Sequence, residues 1–214
     1  MEDKIILIDK PAGISSFGVV AKVRGKLKAE FGHKVKVGHT VTLDPFATGL
    51  LILLSGKMTK KSGEFLKLDK IYEATLRLGY VSTTGDPEGE ISKHSELVPE
   101  LDILESVVDS FVRKIKQTVP RYSAVKINGQ RAYKLAREGK DFETPSREVE
   151  IYKIEILDYS YPEVKIRCHV SSGTYIRTLA EDIGKKLGTE AYLTALRRIM
   201  VGEYNVKDAK KLMK

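Results

Sequence analysis

The chain has 214 residues, 42% hydrophobic and 31% charged, with 37 Lys+Arg against 29 Asp+Glu for a net charge of +8. That length is enough to bury a core, no apolar run approaches the roughly 20 residues of a membrane helix, and the single cysteine, Cys168, excludes an internal disulfide and suits a reducing cytoplasm. The basic excess points to a polyanionic partner, because Lys and Arg that neutralise phosphates release condensed counterions.

The start, MEDKIILIDKPAG, has the pattern of neither a signal peptide nor a transit peptide. KIILIDK reads as a short strand. PAGISS is a turn in which Ser15 or Ser16 caps a helix from about Phe17 to Phe31. Val19, Val20, Val23 and Leu27 recur there at near-helical spacing. KVKVGHT then enters a loop, GHTVTLDPFATG, residues 38–49, and Gly49 to Leu54 predicts a buried strand. KIYEATLRLGYVSTTGDPEGEIS alternates apolar and polar residues before turning at GDPEG.

Pro99 to Gln117 predicts an amphipathic helix with Leu101, Leu104, Val107, Val108, Phe111, Val112 and Ile115 facing inward. RYSAVKINGQRAYKLAREG predicts a strand, an Asn-Gly turn and a short helix. REVEIYKIEILDYS and EVKIRCHVSSG predict paired strands. Thr174 to Leu187 predicts a helix stopped by Gly188, and LTALRRIMVGEYNV predicts a helix giving way to a strand. Strands and helices mingle without strict alternation, which argues for an α+β or mixed-sheet domain over a doubly wound one.

The chemical candidates narrow quickly. His33, His39, His94 and His169 form no pair at metal-ligand spacing, and one cysteine builds no zinc knuckle. DPEGE (Asp86 to Glu90) lacks the extended pattern of a calcium loop and reads as a hairpin turn. GLLILLSGKMT has six residues between Gly49 and Gly56, with Met58 where a phosphate loop needs Ser or Thr. There is no G-x-G-x-x-G and no G-x-S-x-G, and Cys168 lies in an alternating strand as a core residue would. What stands out is Asp44, a lone loop acid held before Pro45 and followed by an apolar run. The proline fixes its own φ and restricts the residue before it. Tyrosines near basic residues offer base stacking, although most of the ten tyrosines are expected in the core or at its rim.

Several ordered blocks resemble those of the TruB-type pseudouridine synthases: DKPAGISS (Asp9 to Ser16), GHTVTLDPFATGLL, KIYEATLRLG (Lys70 to Gly79), VPRYSAVKINGQRAYKLAREG (Val119 to Gly139), SSGTYIRTLAEDIGKKLG (Ser171 to Gly188) and LTALRRIMVG (Leu193 to Gly202). The resemblance covers nearly the whole chain. It implies the α+β pseudouridine synthase fold, with a mixed, mainly antiparallel central sheet flanked by helices. It also implies isomerisation of a uridine in RNA, usually uridine 55 in the tRNA T-loop, with the base flipped out of its stack. On this resemblance no cofactor and no metal is needed, the partner is the T-arm of tRNA, and the protein is a cytoplasmic monomer without membrane association.

Residue by residue, the resemblance makes Asp44 the nucleophile. Whether it attacks sugar or base stays open from sequence, with the sugar favoured. Tyr72 matches the tyrosine that packs on the flipped base and is a candidate for proton abstraction. Arg177 matches the arginine that pairs with the nucleophile and would hold it ionised. Tyr175 and Leu196 match substrate-pocket positions, His39 a loop histidine that contacts the T-loop, and Lys10 and Pro11 a motif supporting the pocket wall. For Lys10 and Pro11 a purely structural role stands at least level with direct contact. The basic stretches KMTKK and LRR are expected to contact phosphates.

Val41 stands where the family commonly has glycine, and Val119 where it commonly has a second proline. The sequence stops at Lys214, so one catalytic domain is expected, without the PUA-type RNA-binding domain of many relatives. The competing readings are pseudouridylation of T-loop-like hairpins in other RNAs and a non-catalytic RNA-binding or RNA-folding protein on the same scaffold.

Overall fold

A computed structural model describes residues 3–212. In chain order its elements are β1 (Ile5–Lys10), α1 (Ser16–Phe31), β2 (Val37–His39), β3 (Thr48–Ser55), a 3-10 segment (Gly56–Lys61), α2 (Ser62–Leu66), β4 (Lys70–Leu78), β5 (Tyr80–Ser82), β6 (Ile91–Lys93), α3 (Leu101–Asp109) and β7 (Lys114–Thr118). There follow β8 (Lys126–Ile127), β9 (Gln130–Arg131), α4 (Ala132–Arg137), β10 (Ser146–Ser160), β11 (Glu163–Val170), α5 (Ile176–Leu187), β12 (Ala191–Val201), β13 (Tyr204–Asn205), a 3-10 turn (Val206–Asp208) and β14 (Lys210–Lys211). The chain divides into two compact units. The first holds the residues up to Glu73, Ser171–Gly173 and those from Ala195 on; the second holds Ala74–Val170 and Thr174–Thr194. The chain passes from one to the other within β4 and returns for the last time within β12.

In the first unit β3 is the central strand. Leu50 to Leu54 are all but inaccessible to solvent, as a strand covered on both faces requires. β1 pairs antiparallel with β3 from Ile5 opposite Leu54 to Lys10 opposite Gly49. β2 pairs antiparallel with the far end of β3, and β12 runs parallel to its start, Arg197 beside Thr48 and Arg198 beside Gly49. β14 adds a short parallel edge to β1. Gly49 permits the β3–β12 approach: its φ is +98°, and a Cβ there would lie 2.8 Å from Arg198 N. Ser15 caps α1, its hydroxyl accepting from Gly18 N at 3.1 Å, and Gly32 ends the helix in the left-handed region. Val19, Val20, Val23 and Leu27 are buried, as their spacing predicts.

In the second unit the fifteen-residue β10 pairs antiparallel with β11 on one side and β7 on the other. β5 and β6 form a hairpin around the GDPEG turn, and β8 and β9 form another across Asn128-Gly129, both at positive φ. α5 lies close to the start of β12, where Gly184 is required: a Cβ would meet that of Ala191 at 2.6 Å. Pairing in both units is mainly antiparallel, which agrees with the fold class the sequence implies.

Two expectations are corrected. The helix expected over Pro99 to Gln117 stops at Asp109, and Lys114–Thr118 is β7. Leu104 and Val108 are buried, but Leu101 and Val112 are exposed. The backbone of 114–118 is claimed by β10, whose Ser146 to Glu150 pair with it residue for residue, and local periodicity does not register that partner. The segment from Leu193 to Val201 is strand throughout, part of a β12 that lies between β3 and β4 in the sheet order and pairs with β13 at its end.

Candidate active site

The loop between β2 and β3 carries Asp44, and nearly every residue around it is tied down within the first unit. Thr40 N donates to Ile52 O at 3.0 Å. The guanidinium of Arg198 donates to Val41 O (3.0 Å), Thr42 O (3.4 Å) and Leu50 O (2.8 Å). The Ser16 hydroxyl accepts from Leu43 N at 2.8 Å and donates to Leu43 O at 2.9 Å. Pro45 O accepts from Gly13 N at 2.9 Å and from Lys10 Nζ at 3.0 Å. Ala47 N closes a turn on Asp44 O at 3.1 Å. Asp44 itself is half-buried. Proline restriction, inferred from sequence, is therefore only part of the constraint; the larger part comes from α1, β1 and β12.

Lys10 and Arg198 are both 0% exposed. Buried cations without compensation are costly; here main-chain carbonyls stabilise them, Lys10 also donating to Pro11 O (2.9 Å) and Ile14 O (2.7 Å). The two side chains grip the loop backbone on either side of Asp44, Arg198 at Val41 and Thr42 and Lys10 at Pro45. His39 is half-buried, its Nε2 3.0 Å from the Thr42 hydroxyl. Burial, and secondarily the Arg198 charge, lower its pKa, so His39 stays neutral at neutral pH. Tyr72 lies buried in β4. Leu196 lies buried in β12, where its carbonyl accepts from the Thr48 hydroxyl at 3.5 Å. Pro11 is exposed beside buried Lys10. Six of the eight sequence-predicted residues thus belong to the first unit.

Tyr175 and Arg177 belong to the second unit, at the start of α5. Gln117 holds Tyr175 by both ends of its amide, Oε1 accepting from Tyr175 N (2.8 Å) and Nε2 donating to Tyr175 O (3.1 Å). The Arg147 guanidinium lies over the Tyr175 ring, 5.4 Å from its centroid. Arg177 is 4% exposed and donates to Thr84 O (2.8 Å) and Tyr122 O (2.7 Å), with Asp86, 3% exposed, 3.3 Å from Nη1.

The sequence reading missed Arg198, Ser16, Gln117 and Asp86. For Asp86 a signal was available. DPEGE is a hairpin turn as expected, but it repeats the Asp-Pro dipeptide of Asp44-Pro45, the two occurrences of that pair in the chain. Nothing local marks the other three. The expectation that LRR contacts phosphates is corrected: Arg198 is buried, and Arg197 forms a bidentate pair with Asp9 at 3.0 and 2.8 Å. KMTKK does present Lys57, Lys60 and Lys61 to solvent. Among the described residues no group of acids, histidines and cysteines is arranged to hold a metal ion, and no helix is long and apolar enough to cross a membrane.

Residues 26–176 match the model of the TruB family pseudouridylate synthase N-terminal domain, and residues 177–214 that of the tRNA pseudouridylate synthase B C-terminal domain. A tRNA pseudouridine synthase B from Francisella tularensis subsp. tularensis is 45% identical over 210 residues, covering 97% of this chain and 68% of the relative. One from Endomicrobium trichonymphae is 43% identical over 208 residues, covering 97% and 88%. Among solved structures, the crystal structure of a Cbf5-Nop10-Gar1 complex matches with a TM-score of 0.71 at 30% identity, covering 97% of this chain, which spans 52% of the matched one. A crystal structure of a pseudouridylate synthase at 14% identity, TM-score 0.52, shares the fold.

Proposed function

The chain belongs to the TruB family of pseudouridylate synthases, and from this we propose that it converts uridine 55 in the T-loop of tRNA to pseudouridine. In that reaction the N1–C1′ bond breaks, the base turns, and a C5–C1′ bond forms. The proton lost from C5 is balanced by one gained at N1, so no oxidant, cofactor or metal is consumed. Asp44 attacks C1′ as a carboxylate nucleophile. Tyr72 packs on the flipped base and takes part in removing the C5 proton, and Arg177 keeps the nucleophile anionic. Tyr175 and Leu196 line the base pocket. His39, neutral at neutral pH, contacts the T-loop by shape and hydrogen bonding rather than charge, and Lys10 and Pro11 support the loop.

The observation that carries the reading is the Asp44 loop. A solvated surface acid has no use for clamps from β1, α1 and β12, whereas a nucleophile that must meet one carbon in one geometry does. The protein acts in the cytoplasm, as a monomer, on the T-arm stem-loop. The test incubates unmodified tRNA with the protein or with Asp44→Asn and maps pseudouridine by chemical modification. Pseudouridine at position 55 with the wild type alone is the expected result. Its absence from tRNA, with modification of another RNA hairpin, would transfer the same chemistry to a different substrate.

A further inference from the structure

We propose that Arg198 is a positioning residue for the nucleophile, setting the backbone of the Asp44 loop from beneath without touching the substrate. The inference rests on the reading of Asp44 given above. Three observations carry it. All three hydrogen bonds of the Arg198 side chain go to main-chain carbonyls: Leu50 O in β3, and Val41 O and Thr42 O in the loop, three and two residues before Asp44. One rigid planar group therefore fixes the loop relative to the strand that follows it.

The side chain is also wholly buried. A buried guanidinium that meets only carbonyls is a poor way to fill core volume, since an apolar chain of similar size would pack there without the desolvation cost. The charge reaches the start of the loop, where it lowers the pKa of His39, second to burial. Finally, the residue is seated by a close backbone approach that only glycine permits. Gly49 faces Arg198 across β3 and β12, where a Cβ would lie 2.8 Å from Arg198 N. β12 also carries Leu196, so the same contact keeps that side chain in fixed relation to the Asp44 loop.

The test measures single-turnover conversion of a T-arm hairpin, Kd for the same hairpin and Tm, for wild type, Arg198→Lys and Arg198→Met. Activity of the wild type checks the underlying reading; the variants check the positioning role. Lysine keeps the charge but cannot span three carbonyls in one plane. Arg198→Lys is expected to lose roughly ten- to a hundredfold in the conversion rate, the scale of a small misplacement of reacting groups, while Kd stays within about threefold of wild type. In Arg198→Met the His39 pKa, followed by NMR, should rise toward its ordinary value, and in Arg198→Lys it should stay depressed. A conversion rate for Arg198→Lys within about threefold of wild type, or a rate loss matched by an equal loss of binding, would overturn the proposal. If the Arg198 variants do not fold, Ser16→Ala removes a clamp on Leu43 one residue from Asp44. A rate loss of at least about threefold at unchanged Kd supports loop positioning, and a wild-type rate overturns it.

Discussion

Arg177 and Asp86 face each other at 3.3 Å with both side chains almost completely shielded from water. A buried pair of this kind adds little net stability compared with an apolar pair, but breaking it is expensive, because the remaining charge has lost a partner it cannot replace with solvent. The pair ties the GDPEG turn to the first turn of α5, the helix whose N-cap is Tyr175.

Asp86→Asn therefore keeps the shape and removes the charge. It should lower stability by about 3 kcal/mol, the lower end for breaking a buried pair, since Arg177 keeps its bonds to Thr84 O and Tyr122 O. Urea unfolding measures this directly. A loss below about 1 kcal/mol, the range of an exposed pair, would mean that Asp86 is not the main counter-charge.

Asp44→Asn should reduce pseudouridine formation to the level of a no-protein control, with hairpin binding kept within about threefold. Asparagine preserves the volume but lacks the anionic nucleophile. Single-turnover conversion and filter binding on one RNA separate the two effects. Turnover above background would remove Asp44 from the chemistry.

Gly49→Ala should cost more than about 3 kcal/mol, among the largest effects of a single substitution. It asks for a Cβ at φ +98° and against the Arg198 backbone. Gly25→Ala is the control: it lies inside α1 with nothing within 4 Å of the added carbon, and should stabilise by about 0.5–1 kcal/mol. The difference in unfolding midpoint between the two alanine variants reports the close approach rather than glycine entropy.

Lys70 makes stability depend on alkaline pH. Its Nζ donates to Leu66 O at 2.9 Å and to Leu68 O. Burial, then Arg198, lower its pKa from 10.5 to about 8, with Asp69 opposing. Below pH 8 the folded and unfolded chains are both protonated, and the fold bears the cost of the buried charge. Between about 8 and 10.5 the folded chain loses this proton first, so the unfolded chain binds more protons and this contribution to stability rises with pH. The rise is about 3 kcal/mol for a shift of this size. Lys70→Met abolishes it, so the stability of the variant relative to wild type should fall between about pH 7 and about pH 10. Parallel pH profiles for the two proteins would contradict the lowered pKa.

RNA binding should weaken as salt rises, each phosphate contact contributing about −0.7 to −0.9 to the log–log slope. Lys57, Lys60 and Lys61 are exposed on the 3-10 segment, so replacing all three with alanine should flatten the slope by about two units. Arg197, paired to Asp9, should contribute less than one of these lysines. An unchanged slope in the triple variant would place the RNA on another face.

Much of the fold was legible because its information is local. Ser15 and Gly32 bound α1, alternation marks β4, and Asn128-Gly129 marks a hairpin. The two misread segments, Lys114–Thr118 and Leu193 to Val201, fail together for one reason. Each is a strand because partners distant in sequence, β10 for the first and β3 and β4 for the second, lie beside it in the sheet, and apolar spacing alone does not separate such a strand from a helix.

By itself the sequence determined which residue types were available for chemistry: one proline-restricted loop acid, no metal cluster by spacing, no phosphate loop, and ordered blocks that resemble one family of RNA isomerases. Only the tertiary structure decided what holds that acid in place. Arg198 reads as a surface charge in LRR and Ser16 as a helix start, yet folding brings both under the Asp44 loop. The hydrogen bonds that do this run to main-chain carbonyls and amides, which every residue but proline presents alike. No side-chain pattern at Val41, Thr42 or Leu43 announces the partner, and it becomes visible only when β3 and β12 are laid side by side.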